Sequence, residues 1–554
     1  MLYALLTSFL APLFSATEVI IPYGLHPFDI CEKNPDLWQF LKFIYPISFV
    51  ISSFLLSYYA SIALLHHFSC LPILLKIKQK HCACEPVHSN DLFLTIGIDE
   101  KNQKEIKIPE SGLYQNFLIT GTIGSGKTSS AMYPFTRQFL SYKSSHPDDP
   151  ISMLILDVKG NYFRQVQSYA NEFHLLDDLI ILGISHSVFY NPLHKPDLKP
   201  SVLANRIKTI LTLFSENNTE SFWLDKAEQI LTECVKLCRL YNHGYVTFLE
   251  LHKLVTLPTY FDEKVHELRN LFLRSRFNEK QLYELNSSLD FFQKEFLSLD
   301  SRTKGILISE ITRMTNLFVS DYDVKSIFCA PEEKLSFLSF EEVLTKGKIV
   351  VLDMNISQYA LLSKMIAAYL KLDFQAEVLS SLSNKKMNKS IFICDEYDKY
   401  CTKTDADFFS ISREAKCINV VSTQSYSSLK NTLKDESAVH VIVQNLINKI
   451  WFRTDDVFTI EEAQKQLGKE DKEKISRSIS ESAKETNYNY FTRTLNSDHS
   501  NISETYSTFM QNDYIFDTNF FTRKLETFSA LTFLSDGFHI LEPKKILMKP
   551  YFKN

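Results

Sequence analysis

Three patterns in the 554-residue chain predict an α/β fold: a P-loop domain on a parallel sheet, interrupted by an all-α insert and preceded by an N-terminal membrane anchor. First, the apolar run Phe117 to Thr120 meets a glycine-rich turn, and a helix-compatible run follows Lys127. Second, further apolar runs end in acids: Met153 to Leu156 before Asp157, and Ile391 to Cys394 before Asp395. Strand, helix and strand in that order start a parallel sheet. Third, between residues 201 and 330 only Gly244, Gly305 and Pro258 interrupt helical apolar spacing, as in FWLDKAEQILTECVKLCRLY.

The composition narrows the class. Hydrophobic residues make up 45% and charged residues 23%, the balance of a chain that packs cores. A formal net charge of −5 offers no broad cationic surface, so any nucleic-acid contact rests on local patches. Ten cysteines without regular spacing describe reduced thiols rather than a disulfide framework. Cys234 and Cys238, four apart on one helix face, read as core.

The anchor, residues 1–75, holds two expected spans. Between Lys42 and Lys76 no charged residue occurs, longer than the ~20 apolar residues that cross a bilayer, which places one span at about 43–65. A weaker one lies at about 2–22, where Glu18 and Pro12 leave an interfacial or re-entrant helix as the alternative. Lys76, Lys78 and Lys80 follow the second span, and positive residues mark the cytoplasmic side. The N-terminus and everything after the second span are therefore expected inside. His81, Cys82, Cys84 and His88 have no standard zinc spacing and read as a juxtamembrane loop.

Gly121, Thr122, Ile123, Gly124, Ser125, Gly126, Lys127 and Thr128 match G-x-x-x-x-G-K-[ST], and Ser129 continues it. Glycines let backbone N–H groups converge on phosphates at a helix N-terminus. Lys127 then reaches the β- and γ-phosphates of ATP, and Thr128 ligates Mg²⁺. In SIFICDEYDKY the acidic pair stands at the carboxyl end of a buried strand, where open α/β sheets place their chemistry. Asp395 is expected to hold Mg²⁺ and Glu396 to orient or deprotonate the attacking water. Gln424, past the expected strand Asn419–Ser422, is either a γ-phosphate sensor or a turn residue. Arg413 is either a finger for a neighbouring subunit's nucleotide or a surface arginine. Asp157 and Lys159 share the nucleotide edge without an assigned role; Asp398 is more doubtful, and no role attaches to Asp353.

The remaining boundaries follow. The nucleotide-binding domain is expected over 76–200 and 335–554, and the all-α insert over 201–334. The sheet resumes at GKIVVLDMN, continues at NKIWFRT and closes with a hairpin turning at Asp536-Gly537. The polar run from Ala483 to Asp513 is expected to be a long loop.

Taken in order, GTIGSGKT, LDVKG, YNPL at Tyr190, a helical insert, ICDEYDKY, SREAKC, STQS and a late ISRSISE resemble the coupling ATPases of type IV secretion, the TraD/TraG class. The resemblance covers nearly the whole chain. It implies a RecA-like P-loop NTPase domain interrupted by the all-α insert, and a homo-hexamer at the inner membrane with nucleotide at subunit interfaces. It implies ATP-driven transfer of relaxase-bound single-stranded DNA, effector protein or both into a secretion channel. Lys127, Thr128, Asp395, Glu396, Gln424 and Arg413 take their roles by motif match. Val158 stands where the family often has proline, which weakens that one match. A DNA translocase of the FtsK/HerA kind, or a nucleotide-gated cargo receptor, remains the alternative.

Overall fold

Strand side chains alternate between two faces, and here both faces carry apolar residues. Leu118, Leu154, Leu156, Val350, Leu352, Phe392 and Val421 face one core; Phe117, Ile119, Met153, Ile155, Ile349, Val351, Ile391 and Val420 face another. Burial on both sides is the signature of a covered parallel sheet. The computed structural model describes residues 91–213, 221–274, 278–383, 388–482, 487–489, 494–496 and 501–553. Both expected spans and the His81–His88 group lie outside the described residues. No helix among the described residues is long and apolar enough to cross a membrane.

In chain order the strands are β1 (Phe93–Asp99), β2 (Glu105–Pro109), β3 (Phe117–Thr120), β4 (Ile151–Leu156), β5 (Leu179–Gly183), β6 (Ile349–Asp353), β7 (Lys389–Cys394), β8 (Cys417–Thr423), β9 (Asn448–Trp451), β10 (Lys469–Ser482), β11 (Asn487–Asn489), β12 (Thr494–Asn496), β13 (Asn501–Tyr514), β14 (Ser529–Phe533) and β15 (Lys544–Leu547). Eleven of them form one sheet in the order β2-β1-β15-β14-β9-β3-β8-β7-β4-β6-β5. From β9 to β5 every neighbour is parallel; β2, β1, β15 and β14 form an antiparallel wing. The expected closing hairpin is present as β14 and β15.

Only helices lie between β5 and β6 among the described residues, running from Pro200–Leu213 to Phe340–Lys346. The helix Ser221–Tyr241 coincides with the amphipathic run read from the sequence. Cys234 and Cys238 are buried in it. Side-chain caps start several of these helices: Thr247 accepts from the Glu250 N–H, and Asp300 from those of Arg302 and Thr303. The helical segment shares one core with a face of the sheet.

A buried ionic knot fastens that junction. Asp373, on the long helix Ile356–Ser380, accepts from Arg206 at 2.6 Å and Tyr190 at 2.8 Å, with Lys195 Nζ at 2.6 Å. Burial works against the charge, but the two cations outweigh it and hold the Asp373 carboxyl below its ordinary pKa. Two residues away, Lys371 is fully buried against Asp405 at 2.6 Å. One helix thus carries a cation fixed to the sheet side and an anion fixed to the insert.

The polar run 483–513 departs from expectation. β10 and β13 pair antiparallel from Lys469↔Tyr514 to Ser482↔Asn501, and β11 pairs with β12 in a separate two-stranded sheet. Thr, Ile, Tyr and Phe favour strands even among polar neighbours, and the alternation places Ile475, Arg477 and Ile479 on the face of Tyr506 and Met510. Ile475, Ile479, Tyr506 and Met510 are all exposed. A polar composition concealed a long pairing register.

One buried group works against stability. Lys449 in β9 is 2% exposed and donates to the Leu446 carbonyl at 3.0 Å. Burial pushes its pKa down to about 8. Below pH 8 the folded chain therefore carries a desolvated charge. Lys449→Met is expected to raise unfolding free energy by ~2–3 kcal/mol at pH 7. The gain should shrink as pH rises from about 8 towards the unfolded lysine value, because the wild-type penalty disappears there. Denaturant melts of both proteins at pH 7 and pH 10 check it; an equal gain at both would count against this account.

Candidate nucleotide site

The parallel register assembles the site. Thr120 pairs with Thr423, Cys394 with Val421, and Leu156 with Cys394. The residues that follow these strand ends, Gly121, Gln424, Asp395 and Asp157, therefore emerge along one edge of the sheet. β9 ends at the same edge, since Trp451 pairs with Thr120.

After β3 the glycine turn leads into a helix from Lys127, whose first turn is widened and which continues regularly over Tyr133–Ser145. Pro134 has no N–H to donate back to that turn, and widened turns of this kind occur often at functional sites. Gly126 has φ +107°, and a Cβ there would stand 2.7 Å from the Phe528 ring. Only glycine fits on both counts. Lys127 is buried, and its ammonium donates to the carbonyls of Gly121 at 2.5 Å and Thr122 at 3.3 Å. Burial lowers its pKa, and the nearby Asp395 carboxylate partly offsets that.

Asp395 is the centre of the arrangement. It is 1% exposed. One carboxylate oxygen accepts from the Thr128 hydroxyl at 2.7 Å; the other accepts from the Ser422 hydroxyl and from the Glu396 N–H. A carboxylate and a hydroxyl in contact at the end of a P-loop suit a Mg²⁺ that takes its other ligands from phosphate and water. Among the described residues no group of three or more His, Cys, Asp or Glu could hold a metal by itself.

Glu396 has φ +52°, the left-handed region that side chains other than glycine seldom occupy. Such outliers concentrate where structure holds a functional group in place. Its carboxylate meets Lys159 Nζ at 2.9 Å. Burial disfavours the Lys159 charge, yet the hydrogen bond to Glu396 and the nearby acids raise its pKa overall. Beneath the pair, Asp405 receives Lys371 and the Tyr397 hydroxyl, while Lys371 also donates to the Tyr400 carbonyl at 2.7 Å.

The structure assigns work to residues left open. Asp157 accepts the N–H groups of Lys159, Asn161 and Tyr162 at 3.1–3.3 Å, so it shapes the DVKG turn. Burial and the nearby Asp395 still raise its pKa. Gly160 turns at φ +63° with a Cβ position 2.7 Å from the Asn355 nitrogen, which explains its place in that turn. Asp398 is no surface residue: it is 1% exposed and takes the Thr423 hydroxyl at 3.1 Å. Asp353 meets His186 Nε2 at 2.7 Å. Gln424 is half-buried just beyond β8.

Arg413 is not brought to this edge. It is exposed just before β8 opens at Cys417, whereas Gln424 follows the other end. The intervening seven-residue strand spans ~20 Å. Sequence reading missed Ser422 and Arg453. Ser422 lies one position beyond the Cys394↔Val421 pair, beside Asp395, so parallel register was the available signal. The Arg453 carbonyl accepts from the Thr122 N–H at 2.9 Å, and nothing local in NKIWFRT advertises that.

A family model described as the TraM recognition site of TraD and TraG matches residues 390–513. The bacterial conjugative coupling protein TrwBdeltaN70, in its unbound monoclinic form, aligns over 85% of this chain and 91% of its own at 13% identity and a TM-score of 0.55. Plasmid coupling protein TrwB in complex with ADP and Mg²⁺ aligns over 80% and 87% at 14% identity and 0.53. The complex of TrwB with the non-hydrolysable ATP analogue ADPNP aligns over 84% and 96% at 13% identity and 0.53. Comparison with curated protein sequences gives no significant match. The chain has the fold of the conjugative coupling protein TrwB and matches the TraD/TraG family model over residues 390–513, and on those two findings it resembles the type IV coupling proteins.

Proposed function

We propose that this chain is a membrane-anchored P-loop ATPase that couples DNA, protein cargo or both to a type IV secretion or conjugation channel. The observation that carries the enzymatic part is the contact of Thr128 with Asp395, with Ser422 behind and Glu396 alongside. The TrwB-like fold and the recognition segment support the coupling part.

In this reading the Lys127 ammonium turns from the Gly121 and Thr122 carbonyls to the β- and γ-phosphates of ATP. Thr128 and Asp395 hold Mg²⁺, which neutralises charge developing on the transferred phosphoryl group. Glu396 takes the proton of the attacking water, with Lys159 holding its carboxylate in place. Gln424 stands beside the γ-phosphate. Arg413 sits too far from its own phosphate loop to serve it, which favours action on a neighbour's nucleotide in a homo-hexamer. The hydrophobic N-terminal region anchors the assembly in the inner membrane with the motor on the cytoplasmic face.

The test is ATP hydrolysis by the full chain in detergent micelles, with and without single-stranded DNA, beside Lys127→Ala. Turnover stimulated by DNA and reduced at least 100-fold in the variant is the expected result. Turnover that survives in the variant would remove the P-loop from the mechanism; turnover indifferent to DNA would shift the cargo to protein.

A further inference from the structure

The C-terminal segment returns to the phosphate loop. The Phe528 N–H donates to the Ser125 carbonyl at 3.2 Å, and its ring lies on Gly126. Phe528 has φ +66°, a conformation exceptional for a bulky residue. The Met548 N–H donates to the Phe528 carbonyl at 2.8 Å, and the Tyr551 N–H to the Ser129 carbonyl at 2.9 Å. Rings gather there. Tyr551 lies edge-on to Tyr133 at 5.1 Å and to Phe552 at 5.4 Å, and Phe552 stands 6.0 Å from Phe528. Yet Tyr551 and Phe552 are 38% and 57% exposed. The interior does not account for rings left this open.

A P-loop reads its ligand in one direction. Lysine takes the β- and γ-phosphates and the hydroxyl and acid would hold their Mg²⁺, so ribose and base leave past the α-phosphate, away from the acidic pair. The tail touches the loop through Ser125, Gly126 and Ser129, whereas Asp395 touches it through Thr128. We infer that Phe552 and Tyr551, backed by Phe528, form a platform on which the base of a purine nucleoside triphosphate stacks. This rests on the nucleotide-binding reading above. The rings offer π faces and no hydrogen-bond code, so adenine and guanine stack alike.

The experiment measures affinities by calorimetry on the full chain in detergent micelles, using ATP, GTP and inorganic tripolyphosphate, each with Mg²⁺. Wild type is expected to hold both nucleotides more tightly than tripolyphosphate. Phe552→Ala should weaken ATP and GTP by roughly 5- to 50-fold and leave tripolyphosphate unchanged. Phe552→Leu, which keeps the apolar bulk, should lose most of the same advantage; Phe552→Trp should keep it. Equal weakening of all three ligands would overturn the platform, because the tail would then be shaping the loop. Unchanged nucleotide affinity in Phe552→Ala would overturn it as well. Loss of tripolyphosphate binding in Lys127→Ala tests the nucleotide reading separately, and a wild type that binds none of the three would sink both.

Discussion

Glu396→Gln should bind ATP as wild type does and lose about a thousandfold in turnover. The substitution keeps size and the left-handed backbone while removing the proposed proton acceptor. Asp395 keeps its contacts with Thr128 and Ser422, so the proposed Mg²⁺ ligands stay in place. Only the acceptor and its pairing with Lys159 change. Phosphate release under saturating ATP, beside an affinity measured without turnover, separates the two effects. A variant that still turns over within tenfold of wild type would move the role of base to another residue.

The largest effect on stability is expected from Asp373→Ala. Asp373 is fully buried with Lys195 and Arg206 on its oxygens and Tyr190 donating to it. Removing the anion leaves two cations in the interior, a loss of ~3–5 kcal/mol. Tyr190→Phe removes one hydrogen bond and should cost only ~1 kcal/mol. Denaturant unfolding measures both. Because the folded pKa of Asp373 is depressed, its contribution is present above the ordinary carboxylate pKa and is lost as pH falls through the folded value. An Asp373→Ala loss below that of Tyr190→Phe would show that the knot does not hold the insert to the sheet.

Much of the nucleotide edge was legible because its signals are local. A P-loop, an acidic pair after an apolar strand and a strand–helix–strand order each lie within a few neighbouring residues. What stayed hidden is set by pairing across long separations. Ser422 reaches Asp395 only through the β7–β8 register, and Arg453 meets Thr122 only because β9 lies beside β3. The ribbon of β10 and β13 reads as polar because both its faces are exposed, and without burial the alternation of strands loses its hydrophobic contrast. Asp398, doubtful from the sequence, is folded inward by the DEYDK turn, where it takes the Thr423 hydroxyl.

The antiparallel wing has a consequence for how the protein is made. Strand β1 pairs with β15, and the loop at Gly126 is covered by Phe528 and fastened at Ser129 by Tyr551. A ribosome that has released the P-loop must still translate more than four hundred residues before those partners emerge. At about 5–20 residues per second that delay is of the order of half a minute. The acid Asp395 is made partway through that delay, and the cover of the loop only at its end. The cover of the loop is therefore the last part of the site to be completed, and a chain terminated before residue 528 lacks it.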